Sequence, residues 1–364
     1  MKLVLRLCVC VLIAVGMSGV AGAEGLKVGA GRIVITPEQP IWLAGYAART
    51  EPSQGKLHDI FAKALAVEDE TGARTVIVTT DLVGLPASIS RDVAKRVESD
   101  YGIPRERLAL TASHTHSAPV LRDNLRVTYD MSPEQWSVVE AYSDKLKEQL
   151  VEVIGLALKD LEPGNLRWGI GEADFAKNRR KYTLDGVIND FNPIGPVDHD
   201  VPVLVARRPD SSIKAVLFGY ACHNTVLALQ QISGDYAGFA QAYVEKELPG
   251  TTALFFMGCG GDQNPIPRRT VELAQQYGEE LGKAVVGTVG DSSGDVHGPI
   301  RAAYKEIPLK FAEVPTREKL VELQGSSDVY QQRLAKLLLE KLDKQGSLDA
   351  TYPYPIQVWQ FADT

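Results

Sequence analysis

The chain has 364 residues, 45% hydrophobic and 23% charged, an ordinary globular composition with enough apolar material for one large core or two smaller ones. Its formal net charge of −7 lacks the basic footprint that a phosphate backbone requires, so nucleic acid is not an expected partner. The mild acidity reads as solubility rather than as a clue to substrate.

Lys2 and Arg6 precede an apolar run over residues 7–17, followed by small residues ending in Ala21, Gly22 and Ala23. This pattern predicts a secretory signal over 1–23 and an exported protein, periplasmic or secreted. The run is shorter than the roughly 20 apolar residues of a membrane span. Cys8 and Cys10 fall within it, which leaves Cys222 and Cys259. Export permits a disulfide between them, and two buried unpaired thiols are an equal alternative. No CxxC spacing points to a cysteine zinc site.

Short apolar strands then alternate with helical patterns. Residues 74–80 are β-branched and unbroken, the reading of a strand buried on both faces. Residues 88–101 carry apolar positions at helical spacing, with Ser90 as N-cap and Gly102 as stop. Residues 108–112 return as a strand, which makes a β-α-β unit and favours parallel pairing. A long helix is predicted over 134–159, and strands over 166–171, 202–206 and 215–221. A helix over 239–248, a strand over 252–257 and a helix over 271–289 follow. The expected fold class is α/β, with mixed, largely parallel sheets layered with helices. Residues 177–200 read as a long functional loop, and 313–349 as a charged helix or helical hairpin with Leu320, Leu323, Leu334, Leu338 and Leu342 as buried positions. Residues 352–361 begin a half-buried strand. A hairpin turn beyond it would bring a partner strand back, or it lies at a sheet edge.

The strongest local signal is Ser113-His-Thr-His-Ser117 at the end of a buried strand. In extended backbone His114 and His116 would project to one face, their Cα atoms roughly 7 Å apart. Both could reach one metal, or one could bind while the other faces a substrate; two solvated histidines are the plainer alternative. His223 ends a second apolar strand, and strand ends are where open α/β sheets gather ligands. Asp235 and Asp262 each stand beside glycines at strand-to-helix junctions, where turn chemistry or helix capping is the plainer reading. Asp81 could orient a ligand histidine or cap a turn. His58-Asp59 is equally ambiguous, and His199 and His297 read as surface histidines.

The order Ile35-Thr-Pro37, Leu43-Ala-Gly-Tyr46, His58-Asp59, Ser113-His-Thr-His-Ser117, Asn178-Arg179, His223, Ser233-Gly-Asp235 and Gly260-Gly-Asp-Gln-Asn-Pro265 resembles the neutral/alkaline non-lysosomal ceramidases, in a short bacterial branch. The resemblance implies a Zn2+ site with His114 and His223 as metal ligands. It further implies a non-ligand His116 facing the substrate and Arg179 near the scissile carbonyl. The family's remaining ligands, a Glu and a Tyr, are expected beyond Thr364, so residues 24–364 are read as a catalytic domain incomplete at its C-terminus. The resemblance also implies an immunoglobulin-like C-terminal domain in the family, which is not expected within these 364 residues. Asn264 stands where the family has a serine proposed as nucleophile. An amide side chain cannot take that role, so attack is expected from metal-activated water.

The expected function is zinc-dependent hydrolysis of an amide bond, N-acylsphingosine to fatty acid and sphingoid base. The expected partner is a lipid or small-molecule amide, with contact at a membrane surface left open and no oligomeric state legible. The alternatives are a secreted zinc amidase or esterase on a non-lipid substrate, and a binding protein with a decayed site.

Overall fold

The computed structural model describes residues 25–292 and 294–361, so the predicted export signal of 1–23 lies outside the described residues. A first sheet is built from β1 (Lys27–Val34), β2 (Phe61–Glu68), β3 (Arg74–Thr80), β4 (Leu108–Ala112) and β5 (Glu162–Pro163), in the order β4-β3-β2-β1-β5. Two helices, α1 (Ala87–Tyr101) and α2 (Pro133–Lys159), cover one face of it. The next strands are β6 (Asn165–Glu172), β7 (Ala176–Asn178), β8 (Arg180–Thr183), β9 (Gly186–Asn189), β10 (Asp200–Arg207) and β11 (Ile213–Tyr220). Then come α3 (Asp235–Glu247), β12 (Thr252–Met257), β13 (Gln263–Pro265), α4 (Val271–Asp291) and β14 (Gly294–Val296). The second sheet runs β12-β11-β10-β6-β14, with α3 and α4 on its outer face.

Period-2 alternation explains how the layers stack. Along β2, Ala62, Ala64 and Ala66 face the helices of the first sheet, while Leu65 and Val67 meet Ala215, Leu217 and Leu254 of the second. The result is four layers, helix–sheet–sheet–helix, with a core on each side of each sheet.

Mixed sheets layered with helices are as expected. The share of parallel pairing is smaller than expected: β3–β4 and β11–β12 are parallel, whereas β1–β2, β2–β3, β10–β11 and β6–β10 are antiparallel. Tight turns decide two of these pairs, β2–β3 and β10–β11, since the backbone closes on itself at Asp69–Ala73 and at Arg208–Ser212, and connections that short join only antiparallel neighbours. Helix α1 begins behind Pro86, whose fixed φ starts the helix, rather than at Ser90. Gly102, in the left-handed region at φ 68°, ends it as predicted. Helix α3 starts at Asp235, four residues earlier than its periodicity suggested.

The long 177–200 segment carries the β8–β9 hairpin and the start of a β7–β13 pairing. A helical hairpin of α5 (Arg317–Leu323) and α6 (Val329–Gln345) forms, with Leu320 and Leu339 buried and Leu334 exposed. The last strand, β16 (Thr351–Phe361), pairs with the preceding β15 (Ile300–Lys310), so its partner precedes it in the chain. Cys222 is buried and Cys259 exposed, and both are free. No described helix is long and apolar enough to cross a membrane.

Candidate metal centre

Strand β4 stops at Ala112, and residues 113–117 leave the sheet. Ser113 N–H still bonds Thr80 O at 2.9 Å, which holds the segment to the strand end. His114 then takes a left-handed conformation at φ 59°, so the H-x-H stretch is not extended. The two imidazoles still converge, now through the turn rather than through strand alternation. His116 Nε2 lies 3.3 Å from His114 Nε2.

His223 arrives from the end of β11, tied by its own N–H to Gln263 O at 3.0 Å. Its Nε2 stands 3.1 Å from that of His114. One nitrogen from each ring falls within 4.8 Å of the others. Zinc–nitrogen bonds of about 2.05 Å at tetrahedral angles place two ligand nitrogens roughly 3.3 Å apart, so the trio fits a single divalent cation.

The rings differ in how they are held. His114 Nδ1 donates to Val83 O at 2.6 Å, and His223 Nδ1 donates to Gly260 O at 3.0 Å. A carbonyl only accepts, so both rings carry their proton on Nδ1 and present a lone pair at Nε2. His116 Nδ1 is buried with no hydrogen-bond partner among the described residues. Burial lowers the pKa of all three, to about 4 at His223 and about 3 at His116, and the nearby Arg179 charge adds to the effect. Neutral imidazoles are the form in which histidine ligates metal.

The family described as neutral/alkaline non-lysosomal ceramidase, N-terminal, matches residues 26–327. The chain belongs to that family. It is 36% identical over 356 residues to a neutral ceramidase of Drosophila pseudoobscura pseudoobscura, covering 91% of this chain and 46% of that protein. To the neutral ceramidase of Drosophila melanogaster it is 25% identical over 345 residues, covering 88% of this chain and 44% of that one. The chain therefore spans about half the length of the curated relatives it matches. The crystal structure of neutral ceramidase from Pseudomonas aeruginosa shares the fold, with a TM-score of 0.69 at 18% identity over 93% of this chain and 61% of that one.

Within this ceramidase-family domain the remaining motif residues sort by their contacts. Arg179 sits beside the cluster with Nε and Nη2 on Gly261 O, at 3.1 and 2.8 Å, and Nη1 on Asn264 Oδ1 at 3.0 Å. Asn264 is buried and also accepts from Thr225 Oγ1 at 3.4 Å, so its amide oxygen is committed to orienting the Arg179 guanidinium and the Thr225 hydroxyl. Asp235, fully buried at φ 56°, accepts from the N–H groups of Val226, Leu227 and Tyr236. That pins the loop behind His223. The preceding Ser233 bonds the other histidine segment, its O accepting from Thr115 Oγ1 and its N–H donating to Ser117 O. The S-G-D motif is thus a clamp across both histidine-bearing loops.

Asp81 does not touch a ligand histidine; its carboxylate accepts from Phe61 N–H and Gln241 Nε2, at 2.9 Å each. His58 is also remote from the cluster in its bonding, with Nε2 on Ser233 Oγ at 3.0 Å. His199 is half-buried on Ala176 O, and His297 is exposed. Asp262 has its backbone O on Arg179 N–H.

Gly45 and Tyr46 carried no role of their own in the sequence. The Tyr46 ring packs 5.0 Å from that of His116. A Cβ on Gly45 would lie 2.2 Å from His116 Cγ, and its φ of +86° already disfavours a side chain. Gly45→Ala is expected to cost about 2–4 kcal/mol, from left-handed strain and overpacking together. The urea unfolding midpoint measures it; an unchanged midpoint would show that His116 can step aside freely.

Proposed function

We propose that the protein is a zinc-dependent hydrolase of N-acyl amides, ceramide among them, with His114 and His223 as metal ligands, His116 as the proton-moving group and Arg179 at the scissile carbonyl. The unequal anchoring of the three rings carries this reading. Metal-ligating histidines nearly always donate their second ring N–H to a carbonyl or carboxylate, as His114 and His223 do. His116 has no such bond at Nδ1, so no carbonyl fixes its tautomer, and its Nε2 faces the other two rings where a proton can be taken and released.

Zinc, when bound, lowers the pKa of a coordinated water from 15.7 towards about 7 and polarises a carbonyl. The chain's residues supply the rest. His116 starts neutral, because its pKa is pushed down to about 3 by burial first, then by the crowding of His114 and His223, with the Arg179 and Arg49 charges adding to it. It therefore begins as a proton acceptor at Nε2, taking the proton of the attacking water and delivering it to the departing amine nitrogen. Arg179 keeps N–H donors beyond the three it commits to Gly261 O and Asn264 Oδ1, and these can meet the negative charge that grows on the carbonyl oxygen. Asn264 holds the arginine's head in that direction. Export through residues 1–23, a catalytic domain over 24–364 and contact with a lipid surface belong to the same proposal.

The test is fatty-acid release from N-dodecanoylsphingosine by the full-length protein, with zinc per chain measured alongside. His116→Ala is expected to retain zinc and lose about 10²–10⁴-fold in turnover. Loss of zinc from that variant would place His116 among the ligands and overturn the role given to it. Zinc-free protein without hydrolysis would favour a binding role.

A further inference from the structure

The protein is acidic overall, at −7, yet the rim of its histidine cluster is cationic. Arg179 and Arg180 approach from the 176–183 stretch, each donating to Gly261 O. Arg268 and Arg269 come from the loop after β13. Arg269 donates Nη1 to Tyr46 OH at 3.0 Å, and Tyr46 in turn packs against His116. The same guanidinium stands 5.3 Å from the Tyr46 ring centroid.

No carboxylate pairs with any of these four arginines among the described residues, and half-buried Arg268 has no hydrogen-bond partner there either. Neither of the two acids nearby is in ion-pair contact with them. Asp235 is enclosed and committed to three backbone N–H groups. Asp262 holds its carboxylate towards Asn178 Nδ2 at 3.5 Å and lies outside ion-pair reach of Arg179. Burial, then the charges of Arg180 and Arg268, hold Arg179 below its usual pKa, with Asp262 acting weakly the other way; burial followed by Arg269 does the same to Arg268, against Tyr46 and Asp235. Half-buried Arg179 and Arg268 stand beside exposed Arg180 and Arg269 with no carboxylate in ion-pair contact among the described residues, so four cations face two more distant acids and an anion placed among them is attracted.

We propose that Arg180, Arg268 and Arg269 form an anion subsite on the rim of the histidine cluster, and that the preferred amide carries a carboxylate or phosphate on the fragment lying against the loop of residues 260–269. This rests on the amide-hydrolase reading and adds to it a preference, among N-acyl amides, for anionic members such as N-acyl amino acids over neutral ones. Hydrolysis then consumes one water and yields a fatty carboxylate and an amine that keeps the anionic group. Arg179 stays at the scissile carbonyl.

The experiment compares N-dodecanoylglycine, neutral N-dodecanoylethanolamine and free dodecanoate, each titrated into the full-length protein by calorimetry and the two amides also assayed for turnover. The glycine conjugate is expected to bind at least about tenfold more tightly than the ethanolamine, with the preference shrinking as salt is raised. Arg268→Gln is expected to remove most of that preference, and Arg268→Lys to restore part of it. Arg268 makes no hydrogen bond or ion pair among the described residues, so the melting temperature of Arg268→Gln should stay close to that of the parent; Arg269→Gln provides an independent reading.

Equal affinity for the two amides overturns the subsite, even if both are hydrolysed. Dodecanoate binding as tightly as the glycine conjugate, with loss on Arg268→Gln, assigns the arginines to the product carboxylate and overturns the substrate class. Selective binding of the glycine conjugate without turnover of either amide would uphold the subsite and refute the hydrolytic reading, so the two failures are distinct.

Discussion

Replacing His114 by Ala is expected to release the metal and end hydrolysis together. Its Nε2 is the common neighbour of the other two, 3.1 Å from His223 and 3.3 Å from His116. Loss of an outer-shell partner alone typically costs 10–100-fold in metal affinity, and removal of a ligand should exceed the roughly 100-fold end of that range. Backbone strain must be separated from this effect, because His114 sits at φ 59° and Ala tolerates that region poorly. His114→Asn keeps a side chain that accepts the left-handed conformation while lacking the imidazole. Both variants should purify with little zinc, whereas His116→Ala should keep it. Zinc retained at full stoichiometry in His114→Asn would sink the ligand assignment.

Asp235→Ala is expected to destabilise the fold by about 3–5 kcal/mol and to loosen the metal centre with it. The carboxylate accepts three backbone N–H groups, from Val226 at 3.1 Å, Leu227 at 2.8 Å and Tyr236 at 2.7 Å. All lie in buried surroundings, where each unpaired donor costs roughly 1–3 kcal/mol. Asp235→Asn is not a gentle change either, since its one acceptor oxygen cannot serve both sides and its NH₂ would face a donor. Urea unfolding measures the loss, and zinc retention reports whether the loop behind His223 has drifted.

The pH response gives a second readout. Burial pushes the Asp235 pKa up to about 6 from the ordinary 3.8. The native state therefore holds a proton that the unfolded chain releases between these values. Its contribution is full below about pH 4 and is lost as pH rises through about 6. Asp235→Asn should remove that slope. A slope unchanged in the Asn variant would assign it to another group.

Element type was largely legible because burial imposes a period. The unbroken β-branched run of β3 and the helical spacing of α2 and α4 each declare one structure, and all three formed nearly where expected. Strand pairing was less legible. A β-α-β unit does predict β3 beside β4 in parallel, but the antiparallel pairs depend on turns whose tightness lies in a few residues such as Gly72 and Ser211. Helix α3 began early because Asp235 bonds a loop eight and nine residues before it, a partner with no trace in helical periodicity.

The candidate site divides the same way. His114, His116 and His223 stood out by residue type, since few side chains ligate metal and these end apolar strands. By itself, the sequence determined which groups could do chemistry, and the family resemblance followed from their order. Only the tertiary structure decided what holds them. The carbonyls of Val83 and Gly260 orient two of the rings, yet every residue has a carbonyl and none advertises its direction. The bare flank of Gly45 admits His116, and the clamp from Ser233 to Asp235 joins loops more than 100 residues apart. Four arginines separated by about 90 positions meet around one cluster with no carboxylate in ion-pair contact among the described residues. Side-chain chemistry is local and can be read in one dimension; backbone direction, close approach and shared electrostatic field exist only once distant segments have been packed together.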